Sequence, residues 1–141
     1  MMIIETAISN PHMVKSFVRF LCIELDIKPK RITVAEWEEL ESNVIGLCID
    51  ESEDEFIILV KEKTRNMQEM LVTIAHEMIH VKQHMKENLG WFLDNRGHIP
   101  YLKRWWEKEA FNNALPLYKK YINIALNSQK NVAELELFED A

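Results

Sequence analysis

The segment from Met67 to Met85 constrains the fold more than any other part of the sequence, because its apolar residues recur at helical spacing. Asn66 precedes the segment as a candidate N-cap, and Glu69 follows at the spacing of a capping box. Gly90 stands where a residue in the left-handed conformation would end a helix. The sequence therefore predicts one long helix here. Its apolar positions are Met67, Met70, Leu71, Ile74, Met78, Val81 and Met85.

A second helix is predicted near the start of the chain. Ser9 and Asn10 are candidate N-caps, and Pro11 suits the first helical position. The apolar residues from Met13 to Leu25 then recur at helical spacing, which predicts a helix that ends before Pro29.

Three apolar segments between these helices predict strands. They are Ile32–Val34, Val44–Ile49 and Phe56–Val60. The acidic run Asp50–Glu55 is predicted as a solvated hairpin loop, while Ala35–Glu41 is compatible with a short helix. A three-stranded sheet packed between helices gives an α+β fold.

The residues after the long helix predict further helical structure. A helical stretch begins near Tyr101 and continues to Ile124. Pro116 should kink or break it, because proline lacks the backbone donor and clashes with the preceding turn. The tail from Ser128 is acidic. Together these elements predict a single domain spanning residues 1–141.

The composition is that of a globular domain and excludes several functional classes. Apolar residues make up 48% of the 141 residues and charged residues 28%, which argues against disorder. The formal net charge of -6 does not favour binding to nucleic acid, which needs a basic surface. Cys22 and Cys48 are too few for a disulfide framework, and the sequence shows no secretory or membrane-spanning pattern. We therefore expect a soluble, cytoplasmic protein with no membrane partner.

His76 and His80 lie one turn apart in the long helix, so that both imidazoles project from one face. Both can then reach a single zinc ion at about 2.0–2.1 Å. Glu77 lies about 100° further round the helix, where it cannot easily be a third ligand. From there it can reach a water on the metal and act as general base. The plainer alternative is a helix with two solvent-facing histidines.

A catalytic zinc site needs a third protein ligand. The candidates are His84, His98, Glu107 and Glu109. His84 lies about 12 Å from His76 along the helix axis, which is too far for a ligand. We expect it at the rim of the site or on the surface, or at most in contact with the substrate. His98 follows Gly97 in the connecting segment, where it can fold back or remain an exposed loop residue.

Glu107 and Glu109 lie about 200° apart on the next helix, so at most one of them faces inward. The face of Glu107 is apolar and includes Ala110 and Ala114, which would let this helix approach the histidine helix closely. Glu107 is therefore the preferred third ligand, with His98 and Glu109 as alternatives. The plainer expectation for Glu109 is a solvated carboxylate paired with a lysine.

The segment His76-Glu77-Met78-Ile79-His80, followed by Trp106-Glu107-Lys108-Glu109-Ala110, resembles gluzincin-type metallopeptidases and is similar to small phage and bacterial metallopeptidase-like proteins. This resemblance implies a zincin-like fold, a zinc cofactor, and a protein or peptide substrate that pairs with an edge strand beside the cleft. By position, Phe56–Val60 would lie near that edge. The chain departs from the family at Phe111, where gluzincins often carry Asp or Asn in support of the ligands, and at Trp105, where they often carry Pro.

The implied function is zinc-dependent hydrolysis of peptide bonds, with Glu77 as general base and His76, His80 and Glu107 as ligands. An oxyanion stabiliser is expected from a residue at the cleft. The candidates are Tyr101, Tyr118, His84 and His98.

Three alternatives remain at this point. Val81 after the histidine pair, together with Gly97-His98, resembles SprT-like proteases, which implies His98 as third ligand and action near DNA. A zincin-like regulatory protein that binds metal without turnover is the second. The third is an α+β adaptor without metal, and the oligomeric state is open in every case.

Overall fold

The structure, a computed structural model, describes residues 2–37, 44–61 and 66–139. Within these residues it contains one four-stranded sheet and four α-helices. The strands are β1 Ile3–Thr6, β2 Arg31–Glu36, β3 Gly46–Ser52 and β4 Glu55–Val60. The helices are α1 Pro11–Glu24, α2 Met67–Lys86, α3 Leu89–Arg96 and α4 Trp105–Glu139, with a short 3₁₀ turn at Tyr101–Lys103. The α+β class is confirmed, whereas the predicted number of three strands is wrong.

The sheet has the order β1-β2-β4-β3, and β1, which the sequence analysis does not predict, pairs in parallel with β2. β2 pairs in parallel with β4, and β3 runs antiparallel to β4 at the edge. Only Glu53 and Asp54 connect β3 to β4, so the hairpin loop is shorter than the acidic run Asp50–Glu55. β4 is an inner strand that pairs directly with the edge strand β3, so Phe56–Val60 lies next to that edge rather than at it.

The core lies between the sheet and helices α1 and α2. Strand side chains are buried at alternate positions, as the two-residue period of a strand requires. They are Ile32 and Val34 in β2, and Phe56, Ile58 and Val60 in β4. Helix α2 contacts α1, α3, α4, β3 and β4, so it is the central element of the fold.

Helix α2 begins as the sequence predicts but ends earlier. The Asn66 side chain accepts a hydrogen bond from the Glu69 N–H at 2.8 Å, and its amide donates to the Glu69 carboxylate at 3.1 Å. Asn66 is therefore confirmed as the N-cap, and the Glu69 carboxylate contacts its side-chain amide. The helix ends at Lys86 because Asn88, rather than Gly90, adopts the left-handed conformation, with φ of 58°. Gly90 lies inside α3.

Helix α4 begins at Trp105, later than the predicted start near Tyr101, and continues past Pro116. Pro116 therefore does not break the helix. The carbonyl that Pro116 leaves without a donor belongs to Asn112, which is exposed, so water can bond to it. The backbone of residues 128–139 continues the same helix.

The first predicted helix is confirmed as α1, which begins at Pro11. Ala35 and Glu36 belong to β2 rather than to a short helix, and residues 38–41 lie outside the described residues. Within the described ranges, no helix has both the length and the apolar character needed to cross a membrane.

Candidate metal centre

Three side chains from α2 and α4 converge where the two helices pack together. His76 and His80 come from successive turns of α2, and their ring centroids are 5.0 Å apart. Glu107 comes from the first turn of α4, and its carboxylate oxygens lie 2.6 Å from His80 Nε2 and 3.6 Å from His76 Nε2. Glu107, the preferred third ligand, is therefore the carboxylate that reaches the histidine pair.

These three residues fit a metal ion. One ligand atom from each lies within 4.8 Å of the others, and no other such group of His, Cys, Asp and Glu is found in the part of the chain that the structure describes. Ligand atoms about 2.0–2.1 Å from one zinc ion are about 3.3 Å apart in a tetrahedron. The distance between His76 Nε2 and Glu107 is close to that value. The shorter His80–Glu107 contact is a hydrogen bond that an ion would replace.

The contacts of Glu107 change its pKa and that of His80. Although burial works to raise the pKa of Glu107, the neighbouring polar groups of His76, His80 and Tyr101 hold it well below its usual range. Burial works to lower the pKa of His80, but its bond with Glu107 and the charge of Glu77 raise that pKa above its ordinary value. Glu107 is therefore an ionised carboxylate, as a metal ligand must be.

Aromatic packing holds the first turn of α4 in place. The Phe92 ring of α3 lies 5.2 Å from the Trp105 ring and 6.0 Å from the Trp106 ring, and Trp106 is buried. Arg104 precedes the helix, and its guanidinium donates two hydrogen bonds of 2.8 Å to carbonyls of the connecting segment. These contacts fix the segment that carries Glu107.

The other ring nitrogen of His80 is held by Gln83, which is fully buried on α2. His80 Nδ1 lies 2.7 Å from Gln83 Oε1. The Gln83 amide nitrogen donates to the Trp106 carbonyl and to Glu109 Oε1, both at 2.9 Å. The Gln83 side chain therefore connects α2 to α4 directly beside the candidate ligands.

Glu109 lies beside the centre without joining the ligand group. It accepts a hydrogen bond from Lys82 at 2.9 Å, and Lys82 also pairs with Glu87 at 2.6 Å. Burial works to raise the pKa of Glu109, but the bonds from Lys82 and Gln83 lower it below its ordinary value. The expected lysine pairing is confirmed, and Glu109 as third ligand finds no support among the described residues.

Glu77 lies on the wall of the same cavity as the three ligands and is only 6% exposed. Burial raises the pKa of Glu77, while the positive charges available to His80 and His76 act in the opposite direction. A carboxyl group in such surroundings can accept a proton and later return it, as general acid–base catalysis requires.

The edge strand β3 approaches Glu77 at Gly46. A Cβ atom added to Gly46 would lie 2.5 Å from Thr73 Cγ2 and 3.1 Å from Glu77 Oε2. Thr73 is buried and β-branched, so its side chain has little freedom to move away. The close approach of β3 to the candidate base therefore needs glycine at this position. Gly46 cannot be identified from local sequence pattern, because the approach depends on how distant elements pack.

The ligands line a cavity of about 1140 Å³ that also borders β3 and α4. Much of its remaining wall is apolar. Apolar wall residues include Ile45, Leu47, Val72, Leu93, Phe111 and Leu115. Phe111 is 75% exposed, so its ring stands at the surface rather than in the core. A cavity of this size is large enough for a stretch of peptide.

Two of the predicted oxyanion stabilisers line the cavity. Tyr101 lines the cavity beside Glu107, and burial together with that neighbouring carboxylate raises the pKa of Tyr101. His84 lies against Phe56, with ring centroids 5.8 Å apart, and its half-buried position agrees with the expected place at the rim.

The other two candidates lie elsewhere. Tyr118 packs edge-on against Phe17, with ring centroids 6.4 Å apart. His98 is exposed after α3 and does not line the cavity. As a third ligand, His98 therefore has no support in the described residues.

Comparison with known proteins adds no identification, since no family model, no curated protein and no solved structure matches the chain.

Proposed function

We propose that this protein is a zinc-dependent metallopeptidase of the zincin type. The observation that carries the proposal is the convergence of His76, His80 and Glu107 in one cavity with the buried carboxyl group of Glu77. Two imidazoles and a carboxylate are a ligand set of catalytic zinc sites, and such sites keep a fourth position open for water or substrate.

The roles of the residues follow from their places in the cavity. Zinc, when bound, polarises a carbonyl group and lowers the pKa of water to about 7. Glu77 accepts the proton of the attacking water and passes it to the leaving amine. Tyr101 projects into the cavity beside Glu107 and can donate a hydrogen bond to the oxygen on which negative charge develops.

The cavity favours an extended peptide with large apolar side chains as substrate. β3 pairs with β4 on one side only among the described strands, so its outer edge can add a substrate strand. Gly46 and Leu47 of this strand line the cavity, and Phe111 faces it from α4. Backbone pairing would hold the substrate, and the apolar wall would select its side chains.

The two alternatives that also place a metal ion at these histidines receive less support. The SprT-like alternative needs His98 as a ligand, and His98 is exposed away from the cavity. A binding protein without turnover is suggested by the small size of the chain and by Phe111, which stands where gluzincins often carry an Asp or Asn that supports the ligands. Gln83 holds His80 in this chain, so the change at Phe111 does not leave that ligand without support.

The Glu77→Gln variant tests the proposal, because it removes the proton acceptor and leaves all three ligands. We expect zinc content to equal that of the wild type, while hydrolysis of apolar peptides falls about 10²- to 10⁴-fold. Zinc per chain is measured by elemental analysis, and cleavage is followed by mass spectrometry on a peptide library. Zinc-loaded wild-type protein that cleaves nothing would support the binding protein instead. Equal cleavage by both proteins would show that Glu77 is not the base.

A further inference from the structure

We propose that Gln83, held by Glu109 and the Trp106 carbonyl, is a positioning residue that aims His80 at the metal ion. The proposal rests on the metal site proposed above and concerns how one of its ligands is oriented. It gives Glu109 a specific role beside the site, although Glu109 itself is not a ligand.

The orientation of the Gln83 amide is determined by its two partners on α4. The atom that faces the Trp106 carbonyl and the Glu109 carboxylate must be the amide nitrogen, because both partners only accept hydrogen bonds. The reverse orientation would bring the Gln83 oxygen against two other acceptors. Gln83 Oε1 must therefore face His80.

This orientation decides which nitrogen of His80 carries the proton. Gln83 Oε1 can only accept, so His80 Nδ1 at 2.7 Å is the donor. In the absence of an ion, the 2.6 Å hydrogen bond to Glu107 places a second proton on Nε2. An ion that replaces this proton would leave a neutral ring whose Nε2 supplies the electron pair. A histidine held in this way needs no change of tautomer or ring rotation when it binds an ion.

The same bonds tie the ligands of the two helices together. Glu107 is the ligand from α4, and the residues on either side of it in the first turns of that helix bind Gln83. Lys82 fixes the Glu109 carboxylate from α2 at 2.9 Å. Gln83 is fully buried, so water cannot easily replace a lost partner.

The first test replaces Gln83 with leucine, which has a similar size but no hydrogen-bonding atoms. We expect zinc affinity, measured by competition with a chromophoric chelator, to fall about 10- to 100-fold. In a ¹H–¹⁵N spectrum of the zinc-loaded wild type, the His80 Nδ1 proton should exchange slowly with water. That protection should be lost in Gln83→Leu, whereas a merely structural role for Gln83 would not move this signal.

A second pair of variants tests the chain of bonds without touching Gln83. Glu109→Gln retains an oxygen that can accept from Gln83 and Lys82, so its zinc affinity should stay within about twofold of the wild type. Glu109→Ala removes the acceptor and should weaken zinc binding by about three- to tenfold. Lys120→Met is the matched control, because it removes a 2.7 Å pair between α4 and Glu24 of α1 that does not touch the site.

The outcomes separate this inference from the proposed function. A wild-type protein that does not bind zinc overturns both proposals. Tight zinc binding by the wild type, with unchanged affinity in a folded Gln83→Leu variant, overturns the positioning role alone. If Gln83→Leu does not fold, equal zinc affinities for Glu109→Ala and Glu109→Gln would overturn it.

Discussion

Helix α2 has two buried faces that differ in what stabilises them. One face carries only apolar side chains, which are packed between the sheet and α1. They are Met70, Leu71, Ile74, Met78 and Val81. The other face carries polar side chains that are at least half-buried, namely Thr73, His76, Glu77, His80 and Gln83. The same helix thus serves the core on one side and the candidate metal centre on the other.

The difference shows two ways of burying a helix face. On the apolar face, burial itself is favourable, and a side chain of similar size and shape can substitute. On the polar face, a buried group is costly unless a partner binds it. His80 therefore meets Glu107 and Gln83, and Gln83 meets α4. Substitutions on the apolar face should reduce stability, while substitutions on the polar face should reduce metal binding or catalysis.

Met78→Ala is the variant with the largest expected effect on stability. In the sequence, Met78 lies between the two histidines. Its side chain is fully buried on the apolar face. The free energy of unfolding should fall by about 2–5 kcal/mol, because the substitution leaves a cavity, while zinc per chain stays the same. Urea denaturation measures the first quantity and elemental analysis the second. Met85→Ala, at a half-buried position on the same helix, should cost less. Loss of zinc from a folded Met78→Ala protein would contradict the separation of the two faces.

Gly46→Ala is expected to reduce stability less than Met78→Ala does. It tests the contact between β3 and the polar face of α2. The added methyl group would collide with Thr73 and displace β3 or Glu77, at a cost of about 1–3 kcal/mol. We expect kcat/KM for peptide cleavage to fall while zinc content is retained. Gly90→Ala is the matched control, because nothing lies within 4 Å of a Cβ atom at Gly90. Unchanged kcat/KM in Gly46→Ala would show that β3 need not approach the base closely.

Of the three variants, Phe111→Ser should change stability the least. The Phe111 ring is mostly exposed and lines the cavity, so removing it should leave the free energy of unfolding nearly unchanged. The KM for peptides with large apolar side chains should rise by about three- to tenfold, because part of an apolar contact is lost. Ile23→Ser on α1 is the control, since Ile23 is 78% exposed and lies outside the cavity wall. An equal KM for both variants would remove Phe111 from the substrate site.

The parts of the fold that depend on local pattern could be predicted from the sequence. Helix α2 follows from its helical spacing and its cap at Asn66, and the convergence of His76 and His80 follows from the geometry of one helix. The sequence favours Glu107 over Glu109 because the helix face of Glu107 carries Ala110 and Ala114, and both alanines are buried. These inferences needed only neighbours within a turn or two.

The parts that depend on distant pairing could not be predicted. β1 is only four residues long, and it forms a strand because β2 lies beside it in parallel. The position of β3 at the edge depends on the order of strands, which no local pattern specifies. Gln83 lies one turn from His80, but its role depends on a carbonyl and a carboxylate that α4 brings to it.

The most direct test of the central claim is the zinc content of purified, untagged protein, compared between the wild type, Glu107→Ala and His98→Ala. If His76, His80 and Glu107 hold the ion, the wild type and His98→Ala should each contain about one zinc ion per chain, and folded Glu107→Ala should contain less than about a tenth of that. A wild-type protein without zinc, or a loss of zinc in His98→Ala but not in Glu107→Ala, would contradict the account.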